Sequence, residues 1–178
     1  KIKKGFSKKI KKIFSNSSPI INSKILNNNT KILYIPTSFC GNKRYGPFRD
    51  INDYQYLRLQ KIFLNLPLNI TYKPHPNNYF RPHDLNFIKT EKRPLTKAIK
   101  DYEVFLMDYY SSAFSIVSAS NKPIIYFDLG LNNLSEKNFL DLKNRVSYFK
   151  INFDNDLDNQ IKKGLEKYKK NNKNHINK

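Results

Sequence analysis

What this chain lacks narrows it first. It has one cysteine, Cys40, so no disulfide can form within it, and a lone thiol suits a reducing compartment. Neither a zinc-finger spacing nor an RNP-type aromatic motif is present. The five glycines form neither a Walker pattern nor G-x-G-x-x-G, so a phosphate site would have to be built by other means. No apolar run approaches the roughly 18 residues of a membrane span, and no secretory h-region stands at the start. Acidic residues are scarce, 14 against 33 Lys and Arg, giving a formal charge of +19.

What remains is a foldable core with cations crowded at its ends. A hydrophobic content of 39% with 14% aromatics argues for a packed interior over disorder. The 178 residues fit one α/β domain or one half of a larger enzyme, enough to bury roughly 70% of the unfolded surface. Lys1, Lys3, Lys4, Lys8, Lys9, Lys11 and Lys12 lie at the start; Lys162, Lys163, Lys167, Lys169, Lys170, Lys173 and Lys178 lie at the finish. Asn and Ile are abundant too, and with Lys they are the residues of A/T-rich codons, so mutational bias can supply much of the charge. Attraction to an anionic membrane or an acidic substrate is the next reading; a nucleic-acid partner would rest on charge alone.

Residues 1–30 read as a basic helix and linker. Ile2, Phe6, Ile10 and Ile13 fall at helical spacing among lysines, as in a helix lying on a membrane surface, packed on the domain, or leading in from a preceding one. The chain starts at Lys1 without a methionine, so a missing N-terminal domain is an expectation. The location expected is the cytoplasm, with peripheral contact at the inner face of the membrane.

From Lys31 the pattern alternates. KILYI (31–35) predicts a strand; Asp50–Leu64 a helix capped by Asn52 or Asp53 and buried through Tyr56, Leu59, Ile62 and Phe63; Leu68–Tyr72 a second strand. Leu85–Ile88 reads as a short strand and Leu95–Lys100 as a short helix. Val104–Met107 and Ile124–Phe127 are apolar throughout, as a parallel sheet covered on both faces requires, with a helix between them. A helix over Leu134–Leu142, a strand over Arg145–Ile151, a helix over Leu157–Tyr168 and a polar tail at 171–178 complete the chain. The fold class expected is α/β, a Rossmann-like doubly wound parallel sheet over 31–170.

Ligands of such sheets bind beyond the carboxyl ends of the strands. Three stretches leave those ends. The first, Thr37 to Pro47, holds small polar residues, two glycines and two cations, with Ser38 and Arg44 as candidate contacts; a solvated loop is the competing reading. Cys40 within it has no evident catalytic partner and reads as a small buried side chain. In the second, Lys73-Pro74-His75-Pro76, two prolines pin the backbone around His75. Neutral imidazole can hydrogen-bond a phosphate or ribose, and imidazolium can neutralise one. In the third, Asp108 precedes Ser111 and Ser112 where a helix begins. Backbone N–H groups and hydroxyls there suit an anion, while plain helix capping is the bland alternative. Asp128, at the next strand's end, could reach a ribose or cap the turn. His83 and His175 stay unassigned.

KPHP after a strand, followed by DYYSSAFSIVSASNKPIIYFDLG, resembles the C-terminal, donor-nucleotide half of two-Rossmann-domain (GT-B fold) transferases. The nearest group is the bacterial CDP-glycerol glycerophosphotransferases and related surface or capsule polysaccharide proteins. KILYIPTSFCGNKRYGPFRD resembles the start of that half, and the resemblance spans roughly Lys31 to Lys150. It implies one half of a GT-B architecture acting in surface polysaccharide biosynthesis, with His75, Ser111 and Ser112 on the pyrophosphate or nucleotide of the donor. Lys73, Arg44 and Ser38 would assist, and Asp108 precedes the serines as in the family. The implied substrates are a CDP-, CMP- or UDP-linked sugar or polyol phosphate and a glycan or lipid-linked acceptor, with no cofactor; a metal-independent reaction is expected on the reading that no Asp-x-Asp motif appears. The general base belongs to the N-terminal domain, so catalysis is expected only within a longer chain. A nucleotide-sugar epimerase would share the donor pocket. A non-catalytic basic module binding nucleic acid or anionic membrane is the third option.

Overall fold

The computed structural model describes residues 26–39, 52–76 and 88–176, with side chains described as far as residue 171. Five strands form one sheet: β1 (Ile32–Ile35), β2 (Ile70–Tyr72), β3 (Val104–Met107), β4 (Ile124–Asp128) and β5 (Ser147–Lys150). Their order is β2-β1-β3-β4-β5, and every neighbouring pair is parallel. Beyond β2, Thr90 adds a single parallel bridge to Tyr72, flanked by Tyr72 N donating to Lys89 O and Glu91 N donating to Tyr72 O, both at 2.8 Å. Of the expected strand over 85–88, residues 85–87 lie outside the described residues; the edge pairing falls at Thr90. Counting that bridge, chain order across the sheet reads third, second, first, fourth, fifth, sixth. This is the Rossmann order, and it reverses between β1 and β3.

Helices cover both faces because each strand points alternate residues to opposite sides. Ile32, Tyr34, Val104, Leu106, Ile125 and Phe127 join one core with Tyr56, Leu59 and Phe63 of α1 (Asp53–Leu64) and Leu157, Ile161, Leu165 and Tyr168 of α5 (Leu157–Ile176). Leu33, Ile35, Phe105, Met107, Ile124 and Tyr126 join the other. There they meet Ala98 of α2 (Leu95–Ala98), Phe114 and Val117 of α3 (Ser112–Ser118), and Leu142 of α4 (Glu136–Arg145). The fold is therefore α/β, Rossmann-like and doubly wound.

Local chemistry sets the helix boundaries. Asn52 caps α1 through a capping box with Gln55, accepting from Gln55 N at 2.8 Å while Asn52 N donates to Gln55 Oε1 at 3.3 Å. Gln60, not Ile62, completes the deeply buried stripe of α1. Ser135 caps α4, which runs on to Arg145; there the guanidinium turns back to donate to the carbonyls of Ser118, the last residue of α3, and Lys122, in the turn before β4. The last helix continues past Tyr168 to Ile176, so the polar stretch from 171 is helical as far as 176.

Candidate functional site at the carboxyl edge of the sheet

Because the sheet is parallel throughout, the loops after β1, β2, β3, β4 and β5 all leave from one edge. β2 and β3 flank β1, so the ends carrying His75 and Ser111 are two strand spacings apart, about 10 Å. The reversal of strand order falls in the same place, between β1 and β3, where a crevice opens in such sheets.

Asp108 anchors this edge from within. It is buried, and its carboxylate accepts from the Tyr34 hydroxyl (2.6 Å), the Tyr56 hydroxyl (2.8 Å) and the backbone N–H of Thr37 (2.9 Å). One side chain thus ties together β1, the start of the loop after β1, α1 and the end of β3. Both tyrosines are fully buried, and burial, followed by the nearby Asp108 charge, pushes each phenol well above its ordinary pKa, so both remain hydrogen-bond donors. The described contacts of Asp108 all face the fold. The sequence pattern singled out Asp108 for the site, marked Tyr56 only as part of the buried stripe of α1 and Thr37 only as the start of a loop, and assigned Tyr34 no role; a tyrosine inside the otherwise aliphatic run ILYI was the available signal.

On the β2 side, Lys73 N donates to Tyr34 O at 2.8 Å, which fixes the start of the Lys73-Pro74-His75-Pro76 stretch against β1. Lys73 and His75 are half-buried. Burial lowers the pKa of both, with the Glu91 charge acting in the opposite sense on Lys73. The Lys73 ammonium also donates to the Glu91 carbonyl at 3.3 Å. On the β3 side, Ser111 is the N-cap of α3, its hydroxyl oxygen accepting from Ala113 N at 3.3 Å. Ser112 opens that helix and is exposed. Ser38 is half-buried two residues after the Pro36 that ends β1, next to the Thr37 amide held by Asp108. The parallel sheet therefore brings Ser38, Lys73, His75, Ser111 and Ser112 to one edge. Arg44, Cys40, His83 and the basic segment 1–25 lie outside the described residues, as does the side chain of His175.

Further along the edge, Asp128 caps its own turn. It accepts from Gly130 N at 3.0 Å, where Gly130 takes φ +72°, and its second oxygen bonds the Tyr148 hydroxyl. The Tyr126 hydroxyl accepts from Asn132 Nδ2 at 3.2 Å. A cavity of about 120 Å³ opens beside these groups, between the end of β4 and α4. After β5, Asp154, Asp156 and Asp158 stand at alternate positions, so Asp-x-Asp spacing does occur in this chain. Asp156 caps α5 by accepting from Asp158 N and Asn159 N, and Asp158 pairs with Lys162. Among the described residues no group of three or more His, Cys, Asp or Glu side chains could hold a metal ion, and no helix is long and apolar enough to cross a membrane.

No protein-family model and no curated protein matches this chain. Among solved structures, the chain is similar to KpsC of Thermosulfurimonas dismutans, a β-Kdo 2,7-transferase, with 19% identity and a TM-score of 0.39. The match covers 68% of this chain and 40% of that one, so the chain spans less than half of the transferase's length.

Proposed function

We propose that this chain is the donor-binding half of a GT-B-type transferase of surface polysaccharide synthesis, gripping the phosphates of a nucleotide-activated sugar or polyol. The observation that carries the reading is the convergence of His75, Lys73, Ser111 and Ser112 on one edge of a parallel sheet, on either side of β1 where the strand order reverses. Lys73 and His75 are half-buried basic groups whose burial disfavours the charged form, so each has that form to gain from an anionic partner. In the proposal Ser111 caps α3 and retains its hydroxyl proton for a phosphate oxygen, Ser112 donates from its exposed position, and Asp108 holds the loop after β1 through Thr37. These donors would stabilise charge developing on the departing nucleotide, where one such donor is typically worth about 3 kcal/mol. The acceptor would be a glycan or lipid-linked substrate, and the general base would come from a second domain in a longer chain.

The test is a thermal-shift panel of CMP, CDP, UDP and GDP on this chain. Binding to the native state alone raises the melting temperature with occupancy. A pyrimidine nucleoside diphosphate is expected to stabilise, and Ser112→Ala to weaken that stabilisation while leaving the unliganded melting temperature near the parent's. A panel with no stabilisation by any nucleotide, alongside a salt-dependent shift with generic RNA, would instead favour a nucleic-acid module.

A further inference from the structure

We propose that the cavity between the carboxyl end of β4 and α4 is a binding site for a small uncharged polyol. The cavity is lined by Tyr126, Asp128, Asn132, Leu134, Phe139 and Leu142, with the exposed Asn133 at its rim. Its volume of about 120 Å³ compares with cavities of roughly 150 Å³ that hold a six-carbon ring, so it suits about six non-hydrogen atoms, a three-carbon polyol or one edge of a pentose. Leu134, Phe139 and Leu142 supply apolar surface for C–H groups, while Tyr126, Asp128 and the two asparagines supply hydrogen-bonding groups, the mixed lining that orients small ligands.

The hydrogen-bond inventory favours hydroxyls. Tyr126 accepts from Asn132 Nδ2 and keeps its own proton to donate. Burial, then the Asp128 charge, raises its pKa, so that proton stays in place. The bond to Tyr126 uses a donor of Asn132, whose amide oxygen keeps acceptor capacity. Asp128 receives Gly130 N and the Tyr148 hydroxyl and, as a carboxylate, has lone pairs to spare. A ligand whose hydroxyls both donate and accept meets this set; a phosphate would face the Asp128 carboxylate. β4 adjoins β3 in the sheet, so the cavity lies along the same edge as Ser111 and Ser112. Whether the polyol belongs to the donor rests on the phosphate reading above; the site itself does not.

The experiment is an amide-resolved NMR titration of the whole chain with glycerol, with ribose and, separately, with inorganic pyrophosphate. Saturable shifts at Gly130, Asn132 and Asn133 with glycerol or ribose are expected. Tighter binding of glycerol would mark a polyol moiety as the natural occupant, and tighter binding of ribose the sugar of a nucleotide. Tyr126→Phe and Asn132→Ala each remove one hydrogen-bonding group and are expected to weaken the polyol about 5- to 10-fold. Shifts that grow linearly without saturating, or that spread over the surface, would overturn the proposal. So would unchanged affinity in Asn132→Ala, which lies in a loop and keeps the folded core if Tyr126→Phe does not. Pyrophosphate shifts at the ends of β1, β2 and β3 report the phosphate reading alone, so either idea can fail without the other.

Discussion

At the scale of single residues, His75 and Asp108 have opposite duties. His75 is half-buried with a lowered pKa, so the free protein holds it neutral at pH 7. An anionic ligand favours imidazolium, so ligand affinity should rise as pH falls through and below the ordinary histidine range near 6.5. Isothermal titration of CDP between pH 5.5 and 8 should show that rise in the parent and a smaller one in His75→Gln. The difference between the two removes the phosphate's own protonation, and identical profiles would take His75 out of the site. Asp108 is structural in its contacts. Asp108→Ala leaves the Tyr34 and Tyr56 hydroxyls and the Thr37 amide with a lost acceptor in the interior. Urea unfolding should register a loss of at least about 3 kcal/mol, a large share of the 5–15 kcal/mol typical of a domain.

At the scale of elements, α5 meets the sheet closely at one point. A Cβ built on Gly164 would stand 3.0 Å and 3.3 Å from ring carbons of Phe127 and 3.2 Å from the Phe149 ring. Phe127 is fully buried, so a displaced ring would have to push into packed neighbours. Gly164→Leu should therefore destabilise the chain by about 1–3 kcal/mol through overpacking, although leucine is the better helix former. A lowered urea midpoint at unchanged m-value checks this. The elements were largely legible in sequence. The all-apolar strands and the asparagine cap are local signals: they placed β1, β3 and β4 within a residue of where they lie, and the end of α1 at Leu64, while α1 starts at Asp53, behind its Asn52 cap, three residues later than expected. The edge pairing at Thr90 was not legible, because one bridge depends on Tyr72 alongside and leaves no period of its own.

At the scale of the molecule, the core holds several phenols. Tyr34, Tyr56 and Tyr126 are buried with raised pKa values. A tyrosine whose folded pKa exceeds its unfolded value near 10 contributes stability that is complete below that pH and is lost as pH rises toward the folded value. Above pH 10 each such phenol should lower stability by about 1.4 kcal/mol per pH unit, so the three together by about 4 kcal/mol per unit. Absorbance at 295 nm should show exposed tyrosines ionising first and the buried set only with the loss of structure. A single smooth titration of all tyrosines near pH 10 in the folded protein would contradict the burial.

Composition and periodicity by themselves determined the fold class, the alternation of strands and helices, and the three stretches that leave strand ends, because hydrophobic spacing and proline or serine boundaries act over a few neighbouring residues. Only the tertiary structure decided which strands lie side by side, and so which loops share an edge. It also turned the Asp108 carboxylate inward to two tyrosines and an amide 52 to 74 residues away in the chain. It spent Asp128 on a turn and a phenol, and opened the cavity beside them. The reason is physical: a buried polar group is satisfied by whatever partner the packed chain brings to it, and no local pattern encodes contacts that form only when distant segments share an interior.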